Sequence, residues 1–276
     1  MPTSAIAYVG SDGTRVEMDG AELYVGTGLG IRGREWSYTM GRRNVTGVSR
    51  QAREATLTAD FLTPAAADAA RRVMDRDVAN GTPGQLVVPA GWSQRAYVVK
   101  QEPSDRYHGW VRADMTVLLL DGVWRRLVTT RYGKGDAGSD YGKAYTYDYD
   151  YDYAPPSNAR TLTVDAPAAC PIRLVVFGYA RNPLITIGDN TYSFDVEVPT
   201  GGYLVVDTRP DPTVTLVDSS GRSTDAFASA HRGAGLGSGE YAFQPVEPGV
   251  TTVGWDNSFG FDLGVYLEEG EIPWTS

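Results

Sequence analysis

The sequence is poor in the groups on which most chemistry depends. It holds one cysteine, Cys170, and two histidines, His108 and His231, far apart in the chain. One thiol cannot form an internal disulfide and leaves no cysteine-based metal cluster. Two separated imidazoles give little material for a nucleophile held beside its base. Lysine occurs only at 100, 134 and 143, and no basic run interrupts a chain of net charge −9. A tight grip on nucleic-acid phosphates is therefore not expected. No apolar run is long enough to span a bilayer. The first ten residues, Met1-Pro-Thr-Ser-Ala-Ile-Ala-Tyr-Val-Gly10, lack the basic start and long apolar core of a signal peptide, so the chain is expected to be made without Sec export.

What is present fits a β protein. The 276 residues include 32 glycines and 16 prolines, as in many short elements joined by turns. Gln51–Phe61 alternates cleanly: Ala55, Leu57, Ala59 and Phe61 share one face, and Glu54, Thr56, Thr58 and Asp60 the other. That is a half-buried strand. Trp110–Leu120 is apolar on both faces near its end and reads as a central strand. One helix is expected, over about 64–80. Thr63 can cap its free amides, Pro64 sits where its missing N–H costs nothing, and Asn80-Gly81 can end it. Its apolar stripe is read as Ala66, Ala70, Val73, Met74 and Val78. After residue 159 strand-like runs recur with few interruptions: 161–165, 172–178, 184–187, 191–198, 203–207, 213–217, 240–243, 250–255 and 259–267. Gly188-Asp-Asn190 and Thr200-Gly-Gly202 read as hairpin turns, and Ser219–Gly239 as a long loop. Such spacing without helices predicts an antiparallel sandwich or jelly roll.

Between the two blocks lies Tyr145-Thr-Tyr-Asp-Tyr-Asp-Tyr-Asp-Tyr153, stopped by Pro155-Pro156. Asp148, Asp150 and Asp152 are spaced like the start of a calcium loop. The sixth position, where glycine is required, is Tyr153, and the twelfth, where glutamate is required, is Ala159, so no EF-hand forms. The reading preferred is an interdomain connector, with Tyr147, Tyr149, Tyr151 and Tyr153 packing between the halves and the aspartates in water. Domains are placed at 1–144 and 159–276, with the connector at 145–158.

Other motifs fail on context. Gly28-Leu-Gly-Ile-Arg-Gly33 matches G-x-G-x-x-G, but a strand-like run follows where a dinucleotide site needs a helix. Gly235-Leu-Gly-Ser-Gly239 lacks the first glycine of a nucleophile elbow. Asn44-Val-Thr46 matches a glycosylation sequon without a secretory route. Glu268, Glu269 and Glu271 read as a solvated acidic cluster. Trp255 with Asn257 could form a sugar-stacking platform, although a strand-end tryptophan more often packs in a core. No catalytic residue, cofactor or metal ligand is assigned.

In order and spacing these segments resemble the distal tail protein family of long-tailed bacteriophages, in the version found in phages of actinobacteria. The resemblance rests on Asp60-Phe61 before the helix, Gly81-Thr-Pro-Gly-Gln-Leu-Val87 after it, Ala96-Tyr-Val-Val-Lys100 and Asp121-Gly-Val-Trp-Arg-Arg126. It continues through the Tyr–Asp tract, Ile172-Arg-Leu-Val-Val-Phe-Gly178, Tyr203-Leu-Val-Val-Asp-Thr208 and Tyr266-Leu-Glu-Glu-Gly-Glu-Ile-Pro-Trp-Thr275. The family usually carries Arg-Ser-Glu-Pro or similar before the last tryptophan, so Gly270-Glu-Ile-Pro-Trp274 is a departure. The resemblance implies a mainly β protein, with a split-barrel or sandwich N-terminal domain carrying one helix and a galectin-like sandwich behind it. It implies a non-enzymatic virion protein at the tail tip, assembled in the host cytoplasm. A homo-oligomeric, hexameric ring would join the tail tube protein to the tail-associated or fibre protein around a channel through which DNA passes, without membrane insertion. The other functions weighed are a carbohydrate-binding module for adsorption to the host wall and a glycosidase.

Overall fold

The structure is a computed structural model that describes residues 6–26, 28–134 and 160–273. It divides into two compact units. One comprises Met1–Arg126 with Glu268–Ser276, the other Leu127–Leu267. The Tyr145–Tyr153 tract and its proposed connector tyrosines lie outside the described residues.

The first unit contains β1 (Ala7–Val9), β2 (Arg15–Glu17), β3 (Leu23–Tyr24), β4 (Ser37–Met40), β5 (Val45–Ser49) and β6 (Arg53–Phe61). Helix α1 (Pro64–Asn80), β7 (Gly84–Val88), β8 (Trp92–Tyr107), β9 (Trp110–Leu119) and the start of β10 (Trp124–Tyr132) follow. All pairings are antiparallel. β2, β1, β7 and β8 are successive neighbours, and β9 joins β8 to β6, whose far edge takes β3. The alternation in β6 is realised: Ala55, Leu57, Ala59 and Phe61 are buried and sit across from Val117, Met115, Ala113 and Val111. β9 is central, as its two-sided apolarity requires.

The helix begins and ends at its local signals. The Thr63 hydroxyl accepts from the Ala66 amide at 3.1 Å, Pro64 occupies the first turn, and Gly81 closes the helix at φ 64°. Its buried face is Ala66, Ala67, Ala70, Met74 and Asp77, whereas Val78 is exposed. Asp77 thus replaces the valine expected on the buried stripe. The Tyr8 hydroxyl donates to its carboxylate at 2.7 Å, the Ser11 hydroxyl at 2.6 Å and the Ser11 amide at 3.1 Å. A carboxylate can be buried because it accepts several hydrogen bonds. Burial first, and the bond to Asp77 second, push the Tyr8 phenol well above its usual range.

The second unit contains β11 (Arg160–Val164), β12 (Ile172–Phe177), β13 (Ala180–Arg181), β14 (Leu184–Ile187), β15 (Asn190–Ser193) and β16 (Glu197–Val198). β17 (Tyr203–Asp207), β18 (Thr213–Val217), β19 (Ser223–Asp225), β20 (Gly249–Trp255) and β21 (Gly260–Glu269) complete it. One sheet runs β19-β18-β17-β12-β21, and the other runs β11-β20-β14-β15. Leu174, Val176, Leu204, Val206, Phe261 and Leu263 from the first meet Leu162, Ile185, Ile187, Tyr192 and Val253 from the second in one buried core. This is the sandwich predicted from the strand spacing.

Three details depart from the sequence reading. Gly188-Asp189 does turn β14 into its partner β15, but Thr200-Gly-Gly202 joins β16 to β17, which lie in different sheets. The long polar loop contains an edge strand, β19, paired to β18. Residues 240–243 form a turn rather than a strand.

Candidate assembly surface

The exposed face of β6, β9 and β8 follows from the same alternation that builds the core. Residues opposite each other across an antiparallel pair share a face. The register therefore forms one polar rung from Thr58, Asp114 and Glu102, and the next from Asp60, Arg112 and Asp105. The Thr58 hydroxyl donates to Asp114 at 2.8 Å, and Arg112 pairs with Asp60 at 2.7 Å. With Glu54, this face has five carboxylates against Arg112 and Lys100. It is an acidic surface whose ion pairs, Lys100–Glu102 and Arg112–Asp60, are open to solvent. Such a face can repel polyanions.

The G-x-G-x-x-G segment is a packing device. Leu29–Ile31 makes a short 3-10 turn. A Cβ on Gly30 would lie 1.8 Å from the Thr56 carbonyl oxygen of β6, so only glycine lets the loop reach that strand. Gly28 takes φ 60° at the start of the turn.

Between that turn and β6 the chain makes a separate hairpin, β4–β5, which pairs with no other described strand. Tyr38 lies opposite Val48 and Met40 opposite Val45, with a bulge between Thr39 and Met40. All four side chains are more than half exposed. The turn is closed by the Gly41 amide donating to the Asn44 carbonyl at 2.7 Å, with Arg42 and Arg43 at its tip. At the base the Arg50 guanidinium lies 4.4 Å from the Trp36 ring centroid.

The residues weighed for chemistry are dispersed. Trp255 is 6 % exposed. Its indole N–H donates to the Phe259 carbonyl at 3.1 Å, and its ring meets Phe261 at 5.3 Å and Tyr132 at 5.5 Å between centroids. It has no open ring face to offer a sugar. Asn257, at φ 66°, is a turn residue after β20. Cys170 is buried, with its strand-entry backbone bonded to Val246. His231 pairs with Asp195 at 2.9 Å, and His108 sits at φ 44° in the β8–β9 turn. Among the described residues no three His, Cys, Asp or Glu side chains are grouped to hold a metal ion.

The second unit has an open cleft of about 310 Å³ bordered by Gly188, Asp189, Gln244, Glu247 and Val250. Its polar floor is already satisfied. The Asn190 amide donates to the Tyr241 carbonyl at 3.0 Å, and the Tyr192 hydroxyl to that of Gln244 at 2.7 Å. Burial pushes the Tyr192 phenol upward. On the outer face of this unit Asp207 accepts from Arg209 at 2.9 Å and from the Tyr266 hydroxyl at 2.9 Å. Burial, then the Asp207 charge, push Tyr266 up to about 12. The Tyr266–Asp207 bond ties β21 to β17 across the sheet.

No family model matches the sequence, and no curated protein sequence matches it. Solved structures do match. The chain is similar to SPP1 Dit, described as a paradigm of the hub adsorption apparatus in phages infecting Gram-positive bacteria. The TM-score is 0.55 at 12% identity, covering 96% of this chain and 98% of that one. It is also similar to chains of the phage P2 baseplate in its activated conformation. With calcium the TM-score is 0.60, and with strontium 0.62; each is 10% identical and covers 97% of this chain and 99% of the other. Over nearly its whole length the chain therefore has the fold of SPP1 Dit and of these baseplate chains.

Proposed function

We propose that this chain is a structural, non-enzymatic protein of the distal tail of a long-tailed bacteriophage. It forms a hexameric ring that joins the tail tube to the tail-tip or fibre proteins and surrounds the path of the DNA. The observation that carries this reading is the two-way coverage. The likeness covers 96% of this chain, and so both of its units, and 98% of SPP1 Dit. A likeness to a hub-apparatus protein over both units of this chain supports an assembly role more than one shared domain would.

The acidic face of β6, β9 and β8 supports the channel role. Carboxylates such as Glu54, Asp114 and Glu102 facing a lumen would repel the phosphates of passing DNA and let it slide without capture. The proposal places that face toward the channel.

Purified protein mixed with the tail tube protein of the same phage is expected to bind one end of each tube in electron micrographs. Tubes that stay bare at both ends, with no co-sedimentation, would sink the proposal.

A further inference from the structure

We infer that the Asp19–Gly20 step, in the turn between β2 and β3, is a site of spontaneous covalent rearrangement to isoaspartate, while the other Asp–Gly steps of the chain are held against it. The inference stands apart from the ring reading and does not depend on it.

The reaction needs an aspartate followed by glycine. The glycine nitrogen attacks Cγ of the aspartic acid, and one carboxyl oxygen leaves as water with the acid proton and the amide proton. A cyclic imide closes, and glycine favours this because it has no Cβ to crowd the ring. Water then opens the ring. If the bond from nitrogen to the main-chain carbonyl carbon breaks, the chain runs on through Cγ and an α-carboxylate is set free. If the bond from nitrogen to Cγ breaks, aspartate returns. Nothing is oxidised or reduced. Because one carboxyl oxygen must leave, contacts that hold both oxygens oppose the first step.

The chain contains three Asp–Gly steps, at 12–13, 19–20 and 121–122. Asp12 is fixed in the β1–β2 turn. Its Oδ1 accepts from the Thr14 amide at 2.9 Å and pairs with Arg76 at 2.6 Å, and its Oδ2 accepts from the Thr14 hydroxyl at 2.8 Å. Asp121 has a side chain 5 % exposed; its Oδ1 pairs with the Arg95 guanidinium at 2.7 Å, and its Oδ2 accepts from the Arg95 amide at 2.9 Å. Asp19 differs from both. Residues 19–22 are exposed, and the Asp19 carboxylate has no hydrogen-bond or ion-pair partner among the described residues. Backbone bonds order this turn: the Gly20 amide donates to the Leu23 carbonyl at 2.9 Å, and Asp19 bridges to Tyr24. Rearrangement lengthens the main chain by a methylene at the turn that sets β3 against β6.

The test ages the purified full-length protein at neutral pH, below its unfolding temperature. Isoaspartate is then read by methyl transfer from S-adenosylmethionine with isoaspartyl methyltransferase as the probe. Cleavage after arginine separates the three sites, since Met1–Arg15 carries Asp12, Val16–Arg32 carries Asp19 and Ala113–Arg125 carries Asp121. The Asn80–Gly81 step loses ammonia rather than water, changes the mass and falls in another peptide, so it is read separately. Wild-type protein is expected to gain severalfold more isoaspartate in Val16–Arg32 than in either other peptide. Gly20→Ala, at a position where an added Cβ makes only ordinary contact with Glu17, should abolish most of that gain. Thr14→Val with Arg76→Gln should raise labelling of Met1–Arg15 severalfold and leave Val16–Arg32 unchanged. The wild-type comparison keeps the test valid should a variant fail to fold. Equal or greater labelling of Met1–Arg15 or Ala113–Arg125 in wild type overturns the inference. So does a Val16–Arg32 segment that stays unlabelled in the protein while a synthetic peptide of the same residues rearranges under the same conditions.

Discussion

Asp77→Ala is expected to lower the stability of the protein by about 2–4 kcal/mol, read as a shift of the urea midpoint. The cost follows from what the carboxylate satisfies. Tyr8 is fully buried, and its hydroxyl donates to Asp77 at 2.7 Å; Ser11 donates through both its hydroxyl and its amide. Alanine leaves the phenol unpartnered inside the unit and opens a void beside it. Each buried polar group left without a partner costs about 1–3 kcal/mol. Asp77→Asn keeps the shape but has one accepting oxygen, so it should fall between alanine and wild type. A second substitution, Tyr8→Phe, should make the loss at Asp77→Ala smaller, because the phenol no longer needs a partner. If Asp77→Ala costs less than about 0.5 kcal/mol, the network is not what holds α1 to β1.

Trp255→Ala should cost about 3–5 kcal/mol, the range for removing a large aromatic from a packed core. The indole is wedged between Tyr132 and Phe261, and its N–H is bonded to the Phe259 carbonyl. Trp255→Phe should lose less, because most of the buried ring area is kept. The same variants decide between packing and adsorption. A core residue lowers the unfolding temperature when truncated. A protein that keeps its stability after Trp255→Ala but loses binding to host-wall glycan would show that the ring acts at the surface.

The parts of the fold legible in the sequence are those set by local physics. Thr63, Pro64 and Gly81 bound a helix whatever surrounds them, and strict alternation over residues 53–61 can bury only one face. Other features depend on partners that sequence spacing does not display. Asp77 falls on the helical stripe of Ala66, Ala70 and Met74, so its position pointed inward. Its charge argued against that, and the residues that satisfy it, Tyr8 and Ser11, lie nearly seventy positions away. The second half of β8, from residue 97 to 107, carries Pro103 and a run of charges, neither of which favours a strand. It is a strand because this stretch pairs with β9 alone among the described strands, and an edge tolerates proline. β10 was hidden for a related reason. Trp124–Tyr132 is exposed over much of its length and shows no clean alternation, yet the chain crosses from the first unit to the second within it. The β4–β5 hairpin was visible as strand-like sequence. Its exposure was not, since apolar alternation looks the same whether the face is buried within the chain or left for a partner.

The central claim is that this chain acts by assembling. The most direct measurement is the subunit count and shape of the purified full-length protein, by native mass spectrometry with negative-stain microscopy of the same sample. The account predicts closed hexameric rings with an open central channel, in equilibrium with monomer as the protein is diluted. A protein that remains monomeric at every concentration, and shows no ring when mixed with its tail tube, would contradict it.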